Sequence, residues 1–241
     1  AFGGCEWRID MKRQIWAGCT SIVAGILSIA ALSTSELWWA AGWAILAVVA
    51  WKLTQAWQRQ HPIPLPFSMR WMLFIPRGHS PQHLKKILEP QPGERILEIG
   101  PGIGIHALPV AAALLPGGVL DVLDIQQEML DDLKQRAEKQ GIQNIIATQG
   151  DAQALPFPDR TFDAAYMVTA LGEIPGRAAA LGEVRRVLQP AGRLVIAEAM
   201  VDPDYISLSA LEEEVKNAGL VLERTSGSTF SYFALFRSLT T

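Results

Sequence analysis

The chain has 241 residues, a net charge of −3 and only two cysteines. That length allows one full domain and an appendage. The sequence contains no basic cluster, which excludes a nucleic-acid-binding surface. Cys5 and Cys19 fall in chemically different surroundings, one polar and one apolar, so they predict neither a disulfide nor a metal site.

Composition divides the chain into two different parts. All eight tryptophans lie within residues 1–71. The first 60 residues carry five Lys/Arg against three Asp/Glu, for a net charge of +2, whereas the remainder carries 16 against 21 and is acidic. We therefore predict an apolar N-terminal part and a separate C-terminal domain.

The N-terminal part contains two apolar runs, which predict a transmembrane helical hairpin over residues 1–60. Residues 14–35 include no charged side chain, and a helix of that length extends roughly 33 Å, enough to cross a bilayer core. We place the two spans at about 14–34 and 37–57. Positive charges flank both ends of the hairpin, which predicts that both termini and the C-terminal domain are cytoplasmic.

Two alternatives exist for this hairpin. A signal peptide has a single short apolar core, and the two runs in tandem argue against it. A buried soluble hairpin would need a further layer of protein to cover it.

Residues 61–79 predict a linker. The proline-rich run 61–67 favours a stiff, extended chain. The run 69–75 is apolar, so it either lies in the headgroup region of a membrane or packs on the next domain as a lid, and the two interpretations are compatible. Ser80 and Pro81 then predict the start of a helix through Leu88.

A glycine-rich turn is the strongest functional signal in the chain. It has the sequence Glu98-Ile-Gly100-Pro-Gly102-Ile-Gly104 and follows a strand-like run, 95–97. Glycine lets the backbone turn tightly and lets a ligand approach the main chain closely. A dinucleotide-binding turn requires G-x-G-x-x-G, but Ile105 stands where its third glycine belongs. The pattern therefore favours a cofactor without a pyrophosphate, and a turn that merely joins a strand to a helix is the alternative.

An acid follows at a matching distance. Asp124 lies near the end of the strand-like run 119–125, roughly 20 residues past the glycines, where a carboxylate accepts hydrogen bonds from ribose hydroxyls. Asp121 is the competing acid, but strand alternation points it to the opposite face. A helix N-cap is the alternative role for Asp124.

Four motifs in this order resemble the class I S-adenosylmethionine-dependent methyltransferases of the ubiquinone/menaquinone type. They are the E-x-G-x-G-x-G turn, Asp124, the run 150–163 with its Leu-Pro-Phe-Pro-Asp sequence, and the Leu-Gln-Pro-Ala-Gly turn before a strand-like run. Ala191 replaces the first glycine of the family's last motif, which should affect only that turn.

The resemblance covers roughly residues 80–241. It implies an α/β, Rossmann-like fold with a seven-stranded sheet and an antiparallel final pair, and it implies S-adenosyl-L-methionine as the cofactor. It also implies that Asp151 receives the adenine amino group. The cofactor-binding residues expected from it are Glu98, Gly100, Gly102, Gly104, Asp124, Ile125, Asp151 and Ala152.

The acceptor side gives a weaker signal. A methyl transfer needs a base only if the acceptor carries a proton. Glu173, which follows the fourth strand-like run, is the candidate base, and Glu198 after the fifth is its rival. A loop salt bridge or cap is the structural alternative for both. Further candidates are His79, His83 and Tyr205, whereas His106 is expected to pack in the interior.

These features predict a membrane-anchored methyltransferase that uses a small, lipophilic acceptor: a quinone, an isoprenoid, a pigment intermediate or a phospholipid. The acceptor class follows from the predicted location alone. The alternative is a methyltransferase-fold subunit of a membrane complex, with vestigial catalysis. Small residues in the first predicted span would permit the close helix packing that such a partner requires.

Overall fold

The structure is a computed structural model that describes residues 37–60, 62–75 and 78–238. The chain divides into two compact units, residues 1–61 and 62–241. The segment 62–75, predicted as part of a linker, thus belongs to the same unit as the C-terminal domain.

The N-terminal unit contains one described helix, α1 (Leu37–Gln60). Among the helices of the described ranges, none is both long enough and apolar enough to cross a membrane. The predicted span 37–57 is helical, but the described residues do not support the transmembrane hairpin. Tryptophans and Lys52 interrupt the aliphatic run, and tryptophan favours the membrane interface over the hydrocarbon core. The first predicted span, 14–34, lies outside the described residues.

The second unit is built on a seven-stranded sheet, which confirms the predicted Rossmann-like fold. The strands lie in the order β3-β2-β1-β4-β5-β7-β6, and β7 runs antiparallel to both of its neighbours. The strands are β1 (Arg95–Ile99), β2 (Val119–Asp124), β3 (Ile145–Gln149), β4 (Phe162–Val168), β5 (Leu188–Ala199), β6 (Leu220–Ser228) and β7 (Ser231–Ser238).

Helices cover both faces of this sheet. They are α2 (Pro81–Leu88), α3 (Ala107–Ala113), α4 (Gln127–Lys139), α5 (Arg177–Val187) and α6 (Leu208–Asn217). The side chain of Ser80 accepts a hydrogen bond from the main-chain N–H of His83 at 3.1 Å, as the predicted helix start requires. Leu84, Ile87 and Leu88 of α2 are buried, because their spacing places them on one face of the helix.

Two apolar cores lie on opposite sides of the sheet. Ile96 belongs to the core that α2, α3 and α4 cover. Leu97, the next residue along β1, belongs to the core that α5 and α6 cover. Successive side chains of a strand point to opposite faces, so a strand buried on both sides reads as a continuous apolar run.

The strand order fixes where a ligand can bind. Within the sheet, β2 is the neighbour of β1 on one side and β4 is its neighbour on the other. The strand order therefore reverses between β1 and β4. Open α/β sheets bind ligands outside the carboxyl ends of the strands at such a switch point. The loops that meet there are the glycine-rich turn after β1 and residues 169–173 after β4.

Residues 62–75, here named the strap, precede α2. Residues 62–66 are irregular, and Phe67–Phe74 form a 3₁₀ helix. Among the two interpretations of this segment, the lid is the one with contacts in the structure, because the strap bonds to loops at the carboxyl edge of the sheet.

Candidate cofactor and acceptor site

The glycine-rich turn joins β1 to α3 and packs tightly. Gly100, Gly102 and Gly104 have φ of +70°, +51° and +85°, a region that residues with side chains rarely adopt. A Cβ at Gly100 would lie 2.7 Å from the Cβ of Ala170, and one at Gly104 would lie 2.9 Å from the Cγ of Leu133. Real Cβ atoms do not approach so closely, so this turn requires glycine for both backbone angle and space.

Asp124 lies at the carboxyl end of β2, beside that turn. It is 8% exposed, and its Oδ1 accepts a hydrogen bond from the main-chain N–H of Gln126 at 2.9 Å. Burial raises the pKa of Asp124 to about 6, although main-chain N–H groups of Gln126, Gly102 and Ile125 oppose the shift. A carboxylate here is held by the main chain and can accept further hydrogen bonds from hydroxyl groups.

Asp121, the competing acid, has a structural role. It is 1% exposed, and its carboxylate accepts two hydrogen bonds from the Arg95 guanidinium, at 2.8 and 2.9 Å. Such a bidentate pair satisfies the carboxylate within the protein.

Glu98 supplies a second buried carboxyl group to the turn. It is 2% exposed, and its Oε2 accepts a hydrogen bond from the Tyr166 hydroxyl at 2.7 Å. Burial raises the pKa of Glu98 to about 8; the nearby charge of Asp124 acts in the same direction, and the Tyr166 hydroxyl opposes it. Glu98 is therefore protonated at neutral pH, and an ammonium group placed beside it would favour its ionised form.

The β3 loop completes this side of the site. The main-chain N–H of Gly150 donates to the carbonyl of Asp124 at 3.0 Å, which holds the loop against the end of β2. Asp151 is exposed and accepts a hydrogen bond from the main-chain N–H of Gln153 at 2.9 Å, whereas Ala152 is buried. Ile125 is 51% exposed and presents an apolar surface at the same edge.

The residues of this edge fit the cofactor that the motifs imply. Two buried carboxyl groups offer no positive charge to a pyrophosphate, but they suit an ammonium group and a pair of ribose hydroxyls. A turn without side chains gives a ligand access to the main chain. The eight predicted cofactor residues lie at the carboxyl ends of β1 and β2 and in the loops after β1, β2 and β3, and their roles toward the ligand stay predictions.

Glu173 lies on the acceptor side, in the 3₁₀ turn Leu171–Glu173 after β4. It is half-buried, and its Oε2 accepts a hydrogen bond from the main-chain N–H of Leu65 in the strap at 3.2 Å. Burial raises the pKa of Glu173 well above its ordinary value, and Asp204 and Asp202 add to the shift. Among the predicted candidates, this carboxyl group combines partial access with high basicity.

Glu198 is more enclosed than Glu173. It is 1% exposed, its Oε2 lies 3.5 Å from the main-chain N–H of Ile206, and its Oε1 has no hydrogen-bond partner among the described residues. Burial raises the pKa of Glu198, with Asp202 as the second cause. Its enclosure makes Glu198 less suited than Glu173 to meet an acceptor.

The remaining candidates form hydrogen bonds within the domain, and their roles toward an acceptor stay predictions. The Nε2 of His79 lies 3.1 Å from the carbonyl of Glu198, and the Nε2 of His106 lies 3.0 Å from the carbonyl of His79. Burial lowers the pKa of His106, as expected for an interior histidine. His83 bonds to the Ser226 hydroxyl at 2.7 Å. In the same way, Tyr205 donates to the carbonyl of Thr229.

Three contributors to the site were not predicted from the sequence. Tyr166 satisfies Glu98, Gln126 bonds to the strap, and Asp204 lies close to the acceptor-side turn. Tyr166 lies two residues before the end of β4, a placement that strand alternation can identify once the partner acid is known. The partners of Gln126 and Asp204 are non-local, so no sequence spacing indicates them. In the described part of the chain, no three His, Cys, Asp or Glu side chains are grouped to hold a metal.

Comparison with known proteins identifies the class of this domain. A family model described as a methyltransferase domain matches residues 96–192. The matched segment contains the glycine-rich turn, Asp124 and the loop after β3, and it is similar to a methyltransferase domain. S-adenosyl-L-methionine is the cofactor of this class, in agreement with the prediction from the glycine-rich turn.

Curated relatives share the central part of the domain. The chain is 36% identical over 110 residues to the demethylmenaquinone methyltransferase of Symbiobacterium thermophilum, which covers 45% of this chain and 44% of the relative. It is 35% identical over 107 residues to the ubiquinone/menaquinone biosynthesis C-methyltransferase UbiE of Saccharophagus degradans, covering 44% and 43%. It is 30% identical over 128 residues to the 27-O-demethylrifamycin SV methyltransferase of Amycolatopsis mediterranei, covering 53% and 46%. The chain therefore spans less than half the length of these relatives.

A solved structure supports the fold. The SAM-dependent methyltransferase from Aquifex aeolicus superposes with a TM-score of 0.67 at 20% sequence identity. The match covers 73% of this chain and all of that protein. At this identity, the likeness extends to the fold.

The first prediction concerns the ribose acid. Asp124→Ala should weaken S-adenosylmethionine binding by about 1–3 kcal/mol, because the ribose hydroxyls lose a buried acceptor. Gly102→Val should abolish binding, because a side chain with φ near +51° both strains the turn and blocks it. Isothermal titration calorimetry measures both effects. Asp121→Asn is the matched control, which should leave the affinity unchanged; equal binding by all three variants would show that the site is assigned to the wrong residues.

The second prediction concerns pH. The affinity for S-adenosylmethionine should rise as the pH increases from about 6 to about 8, the interval in which Asp124 and Glu98 ionise. The ammonium group of the ligand begins to lose its proton near the top of this interval, at about pH 8, so the rise in affinity should level off there. Binding at neutral pH should thus release protons from the protein, and calorimetry in buffers of different ionisation enthalpy counts them. Glu98→Gln should reduce the proton release and flatten the pH dependence. A wild-type affinity that does not vary with pH would contradict this electrostatic account.

Proposed function

We propose that the chain is an active methyltransferase that transfers a methyl group from S-adenosylmethionine to a small, lipophilic acceptor of the quinol or phenol class. The observation that carries this proposal is the position of Glu173. Its loop packs on the cofactor turn, because the Cβ of Ala170 occupies the space beside Gly100. A carboxyl group with a raised pKa therefore lies next to the loop that is proposed to hold the methyl donor.

The names of the relatives support the acceptor class. Two of them refer to demethylmenaquinone and to ubiquinone/menaquinone biosynthesis, and the third refers to a demethylrifamycin. We extend the quinone-related acceptor class to this chain as part of the proposal.

The chemistry of such an acceptor requires a base. Bound S-adenosylmethionine supplies an electrophilic methyl group. A ring carbon or a hydroxyl oxygen of the acceptor forms a bond to that methyl while the methyl–sulfur bond breaks, and the acceptor loses one proton. The ionised carboxylate of Glu173 would take this proton, and the loop around it would orient the acceptor.

The electrostatics of Glu173 set a pH requirement. Because burial and the neighbouring acids raise its pKa, the carboxylate is a stronger base than an ordinary glutamate once it is ionised. The ionised fraction grows as the pH rises, so turnover limited by this step should increase toward alkaline pH.

The third prediction tests this role. Glu173→Gln keeps the shape of the side chain and removes its basicity, so it should lower turnover by about 100-fold or more and leave cofactor affinity nearly unchanged. A short-chain 1,4-naphthoquinol that lacks the ring methyl is the acceptor, and mass spectrometry detects the methylated product. Glu213→Gln on the exposed surface of α6 is the matched control and should retain full activity.

The outcomes separate enzyme from structural subunit. Unchanged turnover in Glu173→Gln would remove this residue as the base and direct attention to Glu198. A wild-type protein that binds S-adenosylmethionine, methylates no quinol or membrane extract, and co-purifies with membrane subunits would favour the non-catalytic alternative.

We also propose that the N-terminal part associates with the cytoplasmic face of a membrane. Its described helix α1 exposes many large apolar side chains: Trp39, Trp43, Ile45, Leu46, Val48, Val49 and Leu53. Extensive exposed apolar surface is a feature of membrane- and protein-binding segments, and tryptophan suits the headgroup boundary. A lipophilic acceptor would be concentrated at such a surface.

The fourth prediction tests this location. Full-length protein should float with phospholipid vesicles, and the double variant Leu46→Glu and Leu53→Glu should float less, because charged side chains oppose burial among lipids. Ile146→Glu is the control: Ile146 is also a large exposed apolar residue, at 49%, but it lies on β3 of the methyltransferase domain. If the wild type stays in the aqueous fraction, the proposed association is wrong.

A further inference from the structure

The strap, residues 62–75, touches three loops of the proposed cofactor and acceptor site. Leu65 and Phe67 bond to Gln126, which follows Asp124. Leu65 also bonds to Glu173 on the acceptor side. The side chain of Leu73 packs against Gly102 in the glycine-rich turn. The strap therefore crosses the carboxyl edge of the sheet at the switch point, where ligands bind.

The oxygen and the nitrogen of the Gln126 side-chain amide both form hydrogen bonds with the strap. Its Oε1 accepts a hydrogen bond from the main-chain N–H of Phe67 at 3.2 Å, and its Nε2 donates to the carbonyl of Leu65 at 2.9 Å. Its own main-chain N–H donates to Asp124 at 2.9 Å. One residue thus connects the strap to the carboxylate predicted to bind the ribose.

Leu73 covers the main chain that the glycine-rich turn would otherwise leave open. Its Cδ1 lies 2.9 Å from the position that a Cβ on Gly102 would take. A ligand that approaches the backbone at Gly102 would meet this side chain. The side chain of Leu73 must therefore move, either by a change of rotamer or with the strap, before such a ligand can reach the turn.

The strap lies at the surface of the domain, which permits this movement. None of the eight residues of its 3₁₀ helix is fully buried. Two hydrogen bonds to Gln126 and one to Glu173 hold it to the domain, and the ring centroid of Phe74 lies 5.3 Å from the guanidinium of Arg136. Segments with so little burial open at low free energy.

Leu65 joins the two sides of the site. Its carbonyl accepts from Gln126, and its N–H donates to Glu173. A latched strap therefore also places a donor on the carboxyl group that faces the acceptor. When the strap lifts, Glu173 loses that hydrogen bond.

We propose that the strap is a gate over the cofactor site and that Gln126 is the positioning residue that latches it. In the latched state, Leu73 covers Gly102 and the N–H of Leu65 orients Glu173. When the two hydrogen bonds of the Gln126 amide break, the strap lifts, the turn becomes accessible and Glu173 is released. This inference rests on the proposed function, because it assigns S-adenosylmethionine to the gated site.

The fifth prediction tests the latch in the full-length protein. Gln126→Ala removes both hydrogen bonds, so S-adenosylmethionine should associate and dissociate about tenfold faster. Because both rates rise, the equilibrium affinity should change much less than either rate. Stopped-flow measurement gives the rates, and hydrogen–deuterium exchange should show faster exchange confined to residues 62–75. A purely structural defect would not accelerate association.

Matched variants isolate the gate from general effects of substitution. Gln127→Ala is the control, because the side chain of Gln127 bonds to Asp131 within α4 and not to the strap. Gln126→Glu keeps the acceptor for Phe67 and loses the donor for Leu65, so it should give rates between those of the wild type and Gln126→Ala. Leu73→Ala should accelerate association while both hydrogen bonds of Gln126 remain, and these two variants carry the test if Gln126→Ala does not fold.

The outcomes distinguish the gate from the function on which it rests. If the wild type does not bind S-adenosylmethionine, the proposed function fails and the gate fails with it. If the wild type binds it, but Gln126→Ala, Gln126→Glu and Leu73→Ala have the rates of Gln127→Ala, the strap is a fixed wall and only the gate is overturned.

Discussion

Two buried carboxyl groups at the ends of neighbouring strands impose the main constraint on this domain. Glu98 and Asp124 are almost fully enclosed, and their partners are neutral donors: the Tyr166 hydroxyl for one and main-chain N–H groups for the other. Ionising a carboxyl group in such surroundings is unfavourable without a compensating charge. The protein therefore holds these groups with raised pKa values, and a ligand with an ammonium group supplies the missing charge. The loops, helices and strap around them serve to keep water out and to hold both acids in place.

The packing of the glycine-rich turn follows from the same constraint. The turn must bring a ligand close to its main chain, so its glycines leave no side chains in the way, and neighbouring residues fill the space instead. Ala170 fills it beside Gly100, Leu133 beside Gly104 and Leu73 beside Gly102. These three neighbours come from the acceptor-side loop, from α4 and from the strap. The cofactor turn is thus in contact with both the acceptor-side loop and the strap.

Most of the sheet could be predicted because its signals are local. The apolar run before Glu98, the acid at the end of β2 and the Pro/Gly run at the start of β5 each occupy a few consecutive residues, and the number of strands follows from the family that they resemble. Strand alternation also separated Asp121 from Asp124, and the structure pairs Asp121 with Arg95. By contrast, β3 was not predicted individually. This short edge strand is only half-buried, so its sequence lacks a strong apolar pattern. The membrane hairpin was predicted from length and lack of charge alone; no helix among the described residues is long and apolar enough to cross a membrane, and the first predicted span lies outside those residues.

The strap shows why the acceptor side resists prediction from sequence. Its contacts join Leu65 to Glu173, 108 positions along the chain, and no local pattern encodes a partner at that distance. The proline-rich run predicted only that the segment is extended, and both a lid and a membrane-surface segment satisfy that description. The strap follows α1 directly along the chain, since α1 ends at Gln60 and the strap begins at residue 62. A membrane or partner bound to α1 can bias the gate only if it binds differently to the open and latched states.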